Sequence, residues 1–528
     1  MENLTIDGQT LTTQKVAAAA RAHAKLLIHR EADLQVSLSH RLLLKMIEEG
    51  KTIYGVNTGL GGFVNWLVPN ASAKQLQENL IAAVATNVGE YLADEVVRAS
   101  MIARVNSFAR GASAISPTNL AKLVQMYSAG IVPCVPSKGS LGASGDLGPL
   151  ACIALVGIGK WKARYKGKIL SGKDALAKAN IEPMELSYKE GLCLINGTST
   201  MTGFAALVVE DVVKLVKTYD IISCLSFEGL KVKKKPFHPI THKQKQHPGQ
   251  LQCAKNIWML LEGSQMVVCE SKLQEKLGEE RQQKPTSSDS QIEDAYSIRC
   301  TPHVIGPIRD NLKSIRVIIN NELNSSNDNP LIIPEAQDAF HSGHFHGQYI
   351  AMAMDQLSIC LTTLSNLSDR RIDRFMDKNN SNGLPPFLCA KDPGLQLGLM
   401  GGQFMATSLT AENRSLCTPL SIQSLTSTGD FQDVVSFGLV AARRAQELYD
   451  NASHIIAFEL ICAAQAAELR GKHLLSNATK RAFDAVRRIV PFFTEDTPLS
   501  EYIERLAQRI RSGELLREVE TLTGEIEL

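Results

Sequence analysis

The chain has almost no excess of charge: 56 Lys and Arg stand against 54 Asp and Glu, a net of +2 over 528 residues. So even a balance gives no footing for a nucleic-acid or other polyanion partner. Also missing is any uninterrupted apolar stretch of the roughly 20 residues needed to cross a bilayer. The start, Met1-Glu2-Asn3-Leu4-Thr5-Ile6-Asp7-Gly8, is polar and acidic rather than basic and then apolar. A soluble, cytoplasmic protein with no membrane partner is expected. The eleven cysteines, an odd number, contain no CxxC pair, so neither a disulfide framework nor a zinc knuckle is indicated. Internal repeats and low-complexity segments are absent as well. What is there is a 44% hydrophobic chain, long enough to bury a large core and to form several domains.

Up to about residue 187 the pattern is mixed. Short helical stretches such as 13–29 alternate with Gly- and Pro-rich turns, and 161–170 reads as a hairpin around Lys166-Gly167. From Gly197 the texture changes: Val208, Val212, Leu215 and Ile221-Ile222 keep a helical period within 200–225. Similar runs cover 250–277, 291–325, 346–373, 394–416 and 433–469, which predicts a bundle of long helices. Pro236 and Pro239, after the basic run Lys231 to Lys235, mark a connecting loop, and 282–290 is a polar loop or helix break. The expected class is mainly α. A mixed domain spans 1–190, a long-helix bundle 191–470, and a charged helical cap 471–528.

Within the mixed part lies Gly139-Ser140-Leu141-Gly142-Ala143-Ser144-Gly145-Asp146-Leu147-Gly148-Pro149-Leu150. Such a stretch is most simply a turn. A phosphate cradle is disfavoured because the Lys-Ser/Thr ending of a P-loop is missing and the GxGxxG register fails. A third reading is chemical. If the Gly145 nitrogen reaches the Ala143 carbonyl carbon, a five-membered ring closes, and loss of water from that carbonyl and from Ser144 leaves an exocyclic methylene. Glycine suits the attacking position because no Cβ blocks the approach.

With Ile131-Val132-Pro133-Cys134-Val135-Pro136 before it and Leu150-Ala151 after it, the stretch resembles the prosthetic-group loop of the aromatic amino-acid ammonia-lyase and aminomutase family. Other segments carry the resemblance across nearly the whole chain: Tyr54-Gly55-Val56-Asn57-Thr58-Gly59-Leu60-Gly61-Gly62, Leu194-Ile195-Asn196-Gly197-Thr198 and Asp294-Ala295-Tyr296-Ser297-Ile298-Arg299-Cys300. Asn324 to Pro330, Phe345-His346-Gly347-Gln348 and Phe431-Gln432-Asp433 follow in the family's order. Gly61-Gly62-Phe63-Val64-Asn65, Ala83 to Gly89 and Asn380 to Leu388 are similar to the bacterial branch of phenylalanine 2,3-aminomutases and phenylalanine ammonia-lyases. The resemblance implies a histidine/phenylalanine ammonia-lyase-like fold. It also implies a 4-methylidene-imidazol-5-one (MIO) group made from Ala143-Ser144-Gly145, no metal or nucleotide, and a homotetramer whose active sites draw residues from three subunits.

Each candidate has a plainer alternative. Tyr54 is the candidate base for the β-proton; a phenol with a pKa near 10 needs nearby positive potential for that task, and tyrosines also simply pack at turn edges. Tyr296 is a second candidate, for proton transfer or for holding the prosthetic group, or a core tyrosine. Arg299, three residues on, shares its helical face and suits a substrate carboxylate or a structural ion pair. Asn196 is a donor to the carboxylate or to the imidazolone oxygen, or a turn former; Phe345 packs against the prosthetic ring or fills core. His238, His242 and His247 suggest a metal, yet Pro239 and Pro248 interrupt the helix such ligation needs, so a solvated loop is expected. Arg370, Arg371, Asp373 and Arg374 read as a salt-bridged helix end. His344 stands where many lyases have asparagine and is unassigned.

Histidine and tyrosine enzymes of the family carry a Ser-His pair where this chain has Ala83-Val84, and histidine enzymes a glutamate where it has Gln432. With Phe431 as an apolar wall, all three favour a plain phenyl side chain, because a polar ring would be left unpaired. The expected reaction is deamination or a 2,3-amino shift of L-phenylalanine, giving trans-cinnamate and ammonia or β-phenylalanine. The rivals are a histidine ammonia-lyase, a tyrosine ammonia-lyase or aminomutase, and an inactive helical scaffold.

Overall fold

Local caps decide where the helices begin. Thr12 accepts the Lys15 amide at 3.2 Å, Ser116 the Asn119 amide at 3.2 Å with Pro117 following, Ser171 the Asp174 amide at 3.1 Å, and Ser476 the Thr479 amide at 3.1 Å. The computed structural model describes residues 3–288 and 290–528, so Asp289 of the expected polar loop, and Met1 and Glu2, lie outside it.

In chain order come β1 (Asn3–Ile6), α1 (Thr13–Ala22), β2 (Lys25–Ile28), α2 (Arg30–Glu48), α3 (Ala73–Val84), β3 (Val88–Tyr91), α4 (Asp94–Ala109) and α5 (Pro117–Ser128). Then follow β4 (Val132–Pro133), β5 (Pro136–Lys138), α6 (Leu147–Gly157), β6 (Lys162–Tyr165), β7 (Lys168–Ser171), α7 (Gly172–Lys178), α8 (Glu190–Ile195) and α9 (Ser199–Gly229). Next are α10 (Pro239–His242), α11 (Pro248–Leu260), α12 (Glu270–Glu280), α13 (Tyr296–Arg299), α14 (Thr301–Leu323), β8 (Leu331–Ile333), β9 (Asp338–Phe340) and α15 (Gln348–Met376). The chain ends with α16 (Met400–Leu416), α17 (Gly438–Arg470), α18 (Asn477–Arg487), α19 (Ser500–Arg511) and α20 (Glu514–Thr523). The mainly α class with long helices is as expected. The strands form small sheets: β1 with β2 in parallel, β3 with β5, β4-β6-β7, and β8 with β9. α17 is long and apolar enough to cross a membrane by composition alone, but 83% of its apolar window is buried, as in a core helix.

Helix ends depart from the periodicity where the backbone turns left-handed. The run 13–29 stops at His23 (φ +51), and the remainder becomes β2. Gly263 (φ +76) splits 250–277 between α11 and α12, and Phe437 (φ +53) delays the helix expected from 433 until Gly438. The expected hairpin is β6–β7, with Tyr165 opposite Lys168.

Residues fall into two compact units with discontinuous boundaries: Met1–Glu210, Ser314–Gln356 and Pro419–Ala445 in the first, and Asp211–Lys313, Leu357–Thr418 and Gln446–Leu528 in the second. The linear division into 1–190, 191–470 and 471–528 follows chain order instead. In the second unit Glu459 accepts the hydroxyls of Ser226 (2.8 Å) and Ser368 (2.6 Å) beside Arg371, and Asp220 pairs with Arg309.

In the first unit α3, α6 and α8 pack on one another. A polar network fixes the last of these. Buried Glu190 accepts from Ser116 N (3.0 Å), Asn119 Nδ2 (2.8 Å) and Ser187 N (2.9 Å). Lys189 and Asp328, both wholly buried, form an ion pair, and the Lys189 Nζ also donates to the Ser113 carbonyl at 3.1 Å. Breaking such a pair strands a charge in the interior. Lys189→Met should therefore cost about 3–5 kcal/mol, read as a lowered urea midpoint, and adding Asp328→Asn should recover part of the loss. A single variant as stable as the parent would remove the pair from the account of how α8 is held.

Candidate active site

The loop at 139–146 ends at the buried, almost wholly apolar α6 and folds back on itself, with Gly145 bridged to both Gly142 and Ala143. It is tied to the turn after α8. The Asp146 amide donates to the Gly197 carbonyl at 2.7 Å, and the Gly197 amide to the Ser144 carbonyl at 3.2 Å. At Gly145 φ is +70°, and a Cβ there would lie 2.1 Å from the Gly197 oxygen, so no other residue fits. The Asp146 carboxylate, wholly buried, accepts the Met201 amide at 2.7 Å near the start of α9 and the Ser140 hydroxyl at 3.3 Å. Burial pushes this carboxyl up to about 7, against the opposing pull of the Met201 amide, the Ser140 hydroxyl, the Thr200 amide and the charge of Arg104.

A cavity of about 760 Å³ opens beside the loop. Of the residues singled out in the sequence, Tyr54, Val84, Ala143, Ser144, Asn196, Phe345, Phe431 and Gln432 line it. Leu80, Val84, Leu147 and Leu192 give it an aliphatic wall, whereas Tyr54, His341, His346 and Asp433 bring polar groups. The Asn196 Nδ2 donates to the Asn329 carbonyl at 2.9 Å, and its Oδ1 is buried without a partner. The Gln432 Nε2 donates to the Ser144 hydroxyl at 3.2 Å.

No charged side chain is among the influences on the Tyr54 hydroxyl. Its hydroxyl accepts the Gly61 amide at 3.0 Å, but burial outweighs that bond and raises its pKa above the ordinary phenol value. The nearest aromatic partner is His341, edge-on at 6.5 Å, whose Nε2 accepts the Tyr54 amide at 3.3 Å.

Tyr296 and Arg299 belong to the second unit and are not on the cavity wall. They share a helix face, as their spacing predicts: the guanidinium sits 4.8 Å from the Tyr296 ring centre, and Tyr296 is 71% exposed rather than core. The Arg299 Nε donates to the Asp294 carbonyl at 2.8 Å and lies 3.3 Å from Glu293. Among the described residues no cluster of three His, Cys, Asp or Glu is placed to hold a metal. His242 is not in a solvated loop. It is buried, with its Nε2 against the Pro236 carbonyl (2.9 Å) and its Nδ1 accepting from Gln250 (3.0 Å). Arg371, expected in a salt-bridged helix end, is wholly buried and paired with Glu459 at 3.0 Å.

Sequence reasoning missed Asp146, His341 and Arg104. Arg104, inside α4, donates to Asn327 Oδ1 at 3.0 Å and to the Cys193 carbonyl, behind the Asn196–Gly197 turn. The adjacency of Asp146 to Gly145 was a usable signal. An arginine at position 104 within the run Met101-Ile102-Ala103-Arg104-Val105 was another.

Comparison with known proteins gives a consistent set of likenesses. The family model described as aromatic amino acid lyase matches residues 11–488. The tyrosine ammonia-lyase of Cupriavidus metallidurans is 41% identical over 518 residues, covering 97% of each chain. The histidine ammonia-lyase of Alkaliphilus metalliredigens is 38% identical, covering 99% of this chain and 100% of the relative. The solved structure of Pantoea agglomerans phenylalanine aminomutase matches with a TM-score of 0.95 at 54% identity, covering 97% of this chain and 99% of that one.

The raised Asp146 pKa has a signed consequence. The folded chain holds this proton more tightly than the unfolded one, so the stabilisation is full below pH 3.8 and is lost as pH rises through about 7. Asp146→Asn stays neutral and should flatten the decline in that window by up to about 1.4 kcal/mol per pH unit. Urea unfolding at several pH values measures it; an unchanged slope would assign the titration to another group.

Proposed function

We propose a function from the family to which the chain belongs, the aromatic amino acid lyases, whose members are MIO-dependent ammonia-lyases and aminomutases. The substrate is L-phenylalanine, and the products are trans-cinnamate with ammonia, or β-phenylalanine by a 2,3-amino shift. The observation that carries the choice of substrate is the aliphatic wall of Leu80, Val84, Leu147 and Leu192 facing the same cavity as Ser144. A phenol or imidazole buried against that wall would lose its hydrogen bonds to water without replacement. The 54% identity to the Pantoea phenylalanine aminomutase supports the same choice.

The residues fit the prosthetic group. Gly145 is bridged back to Ala143 and has no room for a Cβ, and the unpartnered Asn196 Oδ1 lies at the same wall. When formed, the group supplies an electrophilic carbon that makes the substrate amine a better leaving group. Tyr54 takes the β-proton and Phe345 and Phe431 exclude water from the ring. Arg299, beside Tyr296, binds the substrate carboxylate as a bidentate pair. In a homotetramer these two serve the site of a neighbouring copy. Tyr349 and Met352, 72% and 59% exposed on α15, are apolar surface suited to that assembly. The cytoplasm is the proposed compartment.

NMR of products after incubation with L-phenylalanine, L-tyrosine and L-histidine should give turnover on phenylalanine, with cinnamate or β-phenylalanine distinguishing lyase from aminomutase. Preference for histidine or tyrosine would overturn the choice of substrate.

Val84→His should move the ratio of kcat/KM towards tyrosine. A matched buried hydrogen bond is worth about 1 kcal/mol net and an unmatched polar group costs about 1–3 kcal/mol, so lost phenylalanine turnover should be the larger effect. An unchanged ratio in a folded variant would remove Val84 from the ring pocket.

A further inference from the structure

The side chain nearest to the Ser144 hydroxyl among the described hydrogen bonds is itself held by another. The Gln432 Nε2 donates to the Ser144 Oγ at 3.2 Å, while the Gln432 Oε1 accepts the Thr428 hydroxyl at 2.8 Å. In this arrangement the amide oxygen faces Thr428 and the NH2 group faces Ser144. The backbone reinforces it. Ser427 and Gln432 exchange both amide–carbonyl bonds, at 2.9 and 3.2 Å, and the turn between them runs through Thr428 (φ +59), Gly429 (φ +59) and Asp430 (φ +64). A β-branched residue avoids that conformation, so Thr428 occupies a strained position.

We propose that Gln432, oriented by Thr428, assists the loss of the Ser144 hydroxyl as the prosthetic group forms. This rests on the reading that Ala143-Ser144-Gly145 become that group. Two waters must leave. The first comes from the Ala143 carbonyl when the Gly145 nitrogen bonds to its carbon. The ring so formed places the Ser144 Cα between a C=N nitrogen and a carbonyl, which acidifies its proton. In the second loss the Cα–H and Cβ–Oγ bonds break and a Cα=Cβ bond forms. The proton given up at Cα balances the one taken up by the departing hydroxide, and no oxidant or reductant is needed. An N–H donor on the Oγ stabilises the negative charge that grows there as the bond breaks. Gln432 touches only the second departure, and Thr428 acts through Gln432 as a positioning residue.

The two losses separate by mass. Full-length chain made by cell-free translation, quenched at intervals and weighed intact, should converge for the wild type on a deficit of ~36 Da. Gln432→Leu and Thr428→Val should instead accumulate a species short by only ~18 Da, with the second loss slowed about tenfold or more, and Thr428→Ser should restore the wild-type course. Variants that mature at the wild-type rate would overturn the proposal. So would a folded variant, judged by circular dichroism, that retains the full encoded mass, since that marks general disturbance of the loop. If Thr428→Val does not fold, Gln432→Leu, altered on the cavity wall, decides. A wild-type chain that never loses mass would instead overturn the underlying assignment of the prosthetic group.

Discussion

Gly145 and Gly197 meet through backbone alone, and neither admits a side chain. A Cβ on the first would lie 2.1 Å from the Gly197 oxygen, and one on the second 2.4 Å from both the Arg104 guanidinium and the Asn327 carbonyl. Everything at the candidate site hangs from this contact. It brings the loop after β5 against the turn between α8 and α9, so that Ser144 and Asn196 reach one cavity although fifty residues of chain and three helices separate the two segments. Two backbone hydrogen bonds seal the contact, and these are obligatory because the groups are cut off from water.

The contact persists because polar groups behind it are paired in the interior. Lys189 and Asp328 neutralise each other, and the Asp328 Oδ1 accepts the Asn329 amide at 2.7 Å. The Asn329 carbonyl in turn takes the Asn196 side chain. One face of Asn196 is thus fixed by a relay that starts at the first residue before α8, and its Oδ1 is buried without a partner. Arg104 holds the same turn from α4. Burying an arginine at this point is costly; its bonds to Asn327 and the Cys193 carbonyl offset part of that cost, and its Nε is buried without a partner.

Those parts of the site that depend on short contiguous segments were legible in the sequence: Tyr54 before its glycine-rich loop, Ala143 and Ser144, Asn196, Phe345 and Gln432 all reach one cavity. Parts that depend on burial or on distant partners were not. Asp146 stands next to Gly145 in the sequence, but its raised pKa arises only because α9 and Ser140 enclose it. Helix period located the long helices, yet not their ends. Phe437 and His23 take left-handed conformations that no local pattern announces, and only the Gly263 break had a residue typical of such a turn. Tyr296 and Arg299 were correctly placed on one face of a helix, but periodicity says nothing about which cavity that face serves.

That last point bears on the proposed base. Burial raises the Tyr54 pKa, and among the influences on it only the Gly61 amide opposes burial. One neutral N–H donor is a weak counterweight to desolvation of a phenolate. No charged side chain is among the influences on the Tyr54 hydroxyl, so the cavity of a single chain leaves the phenol protonated.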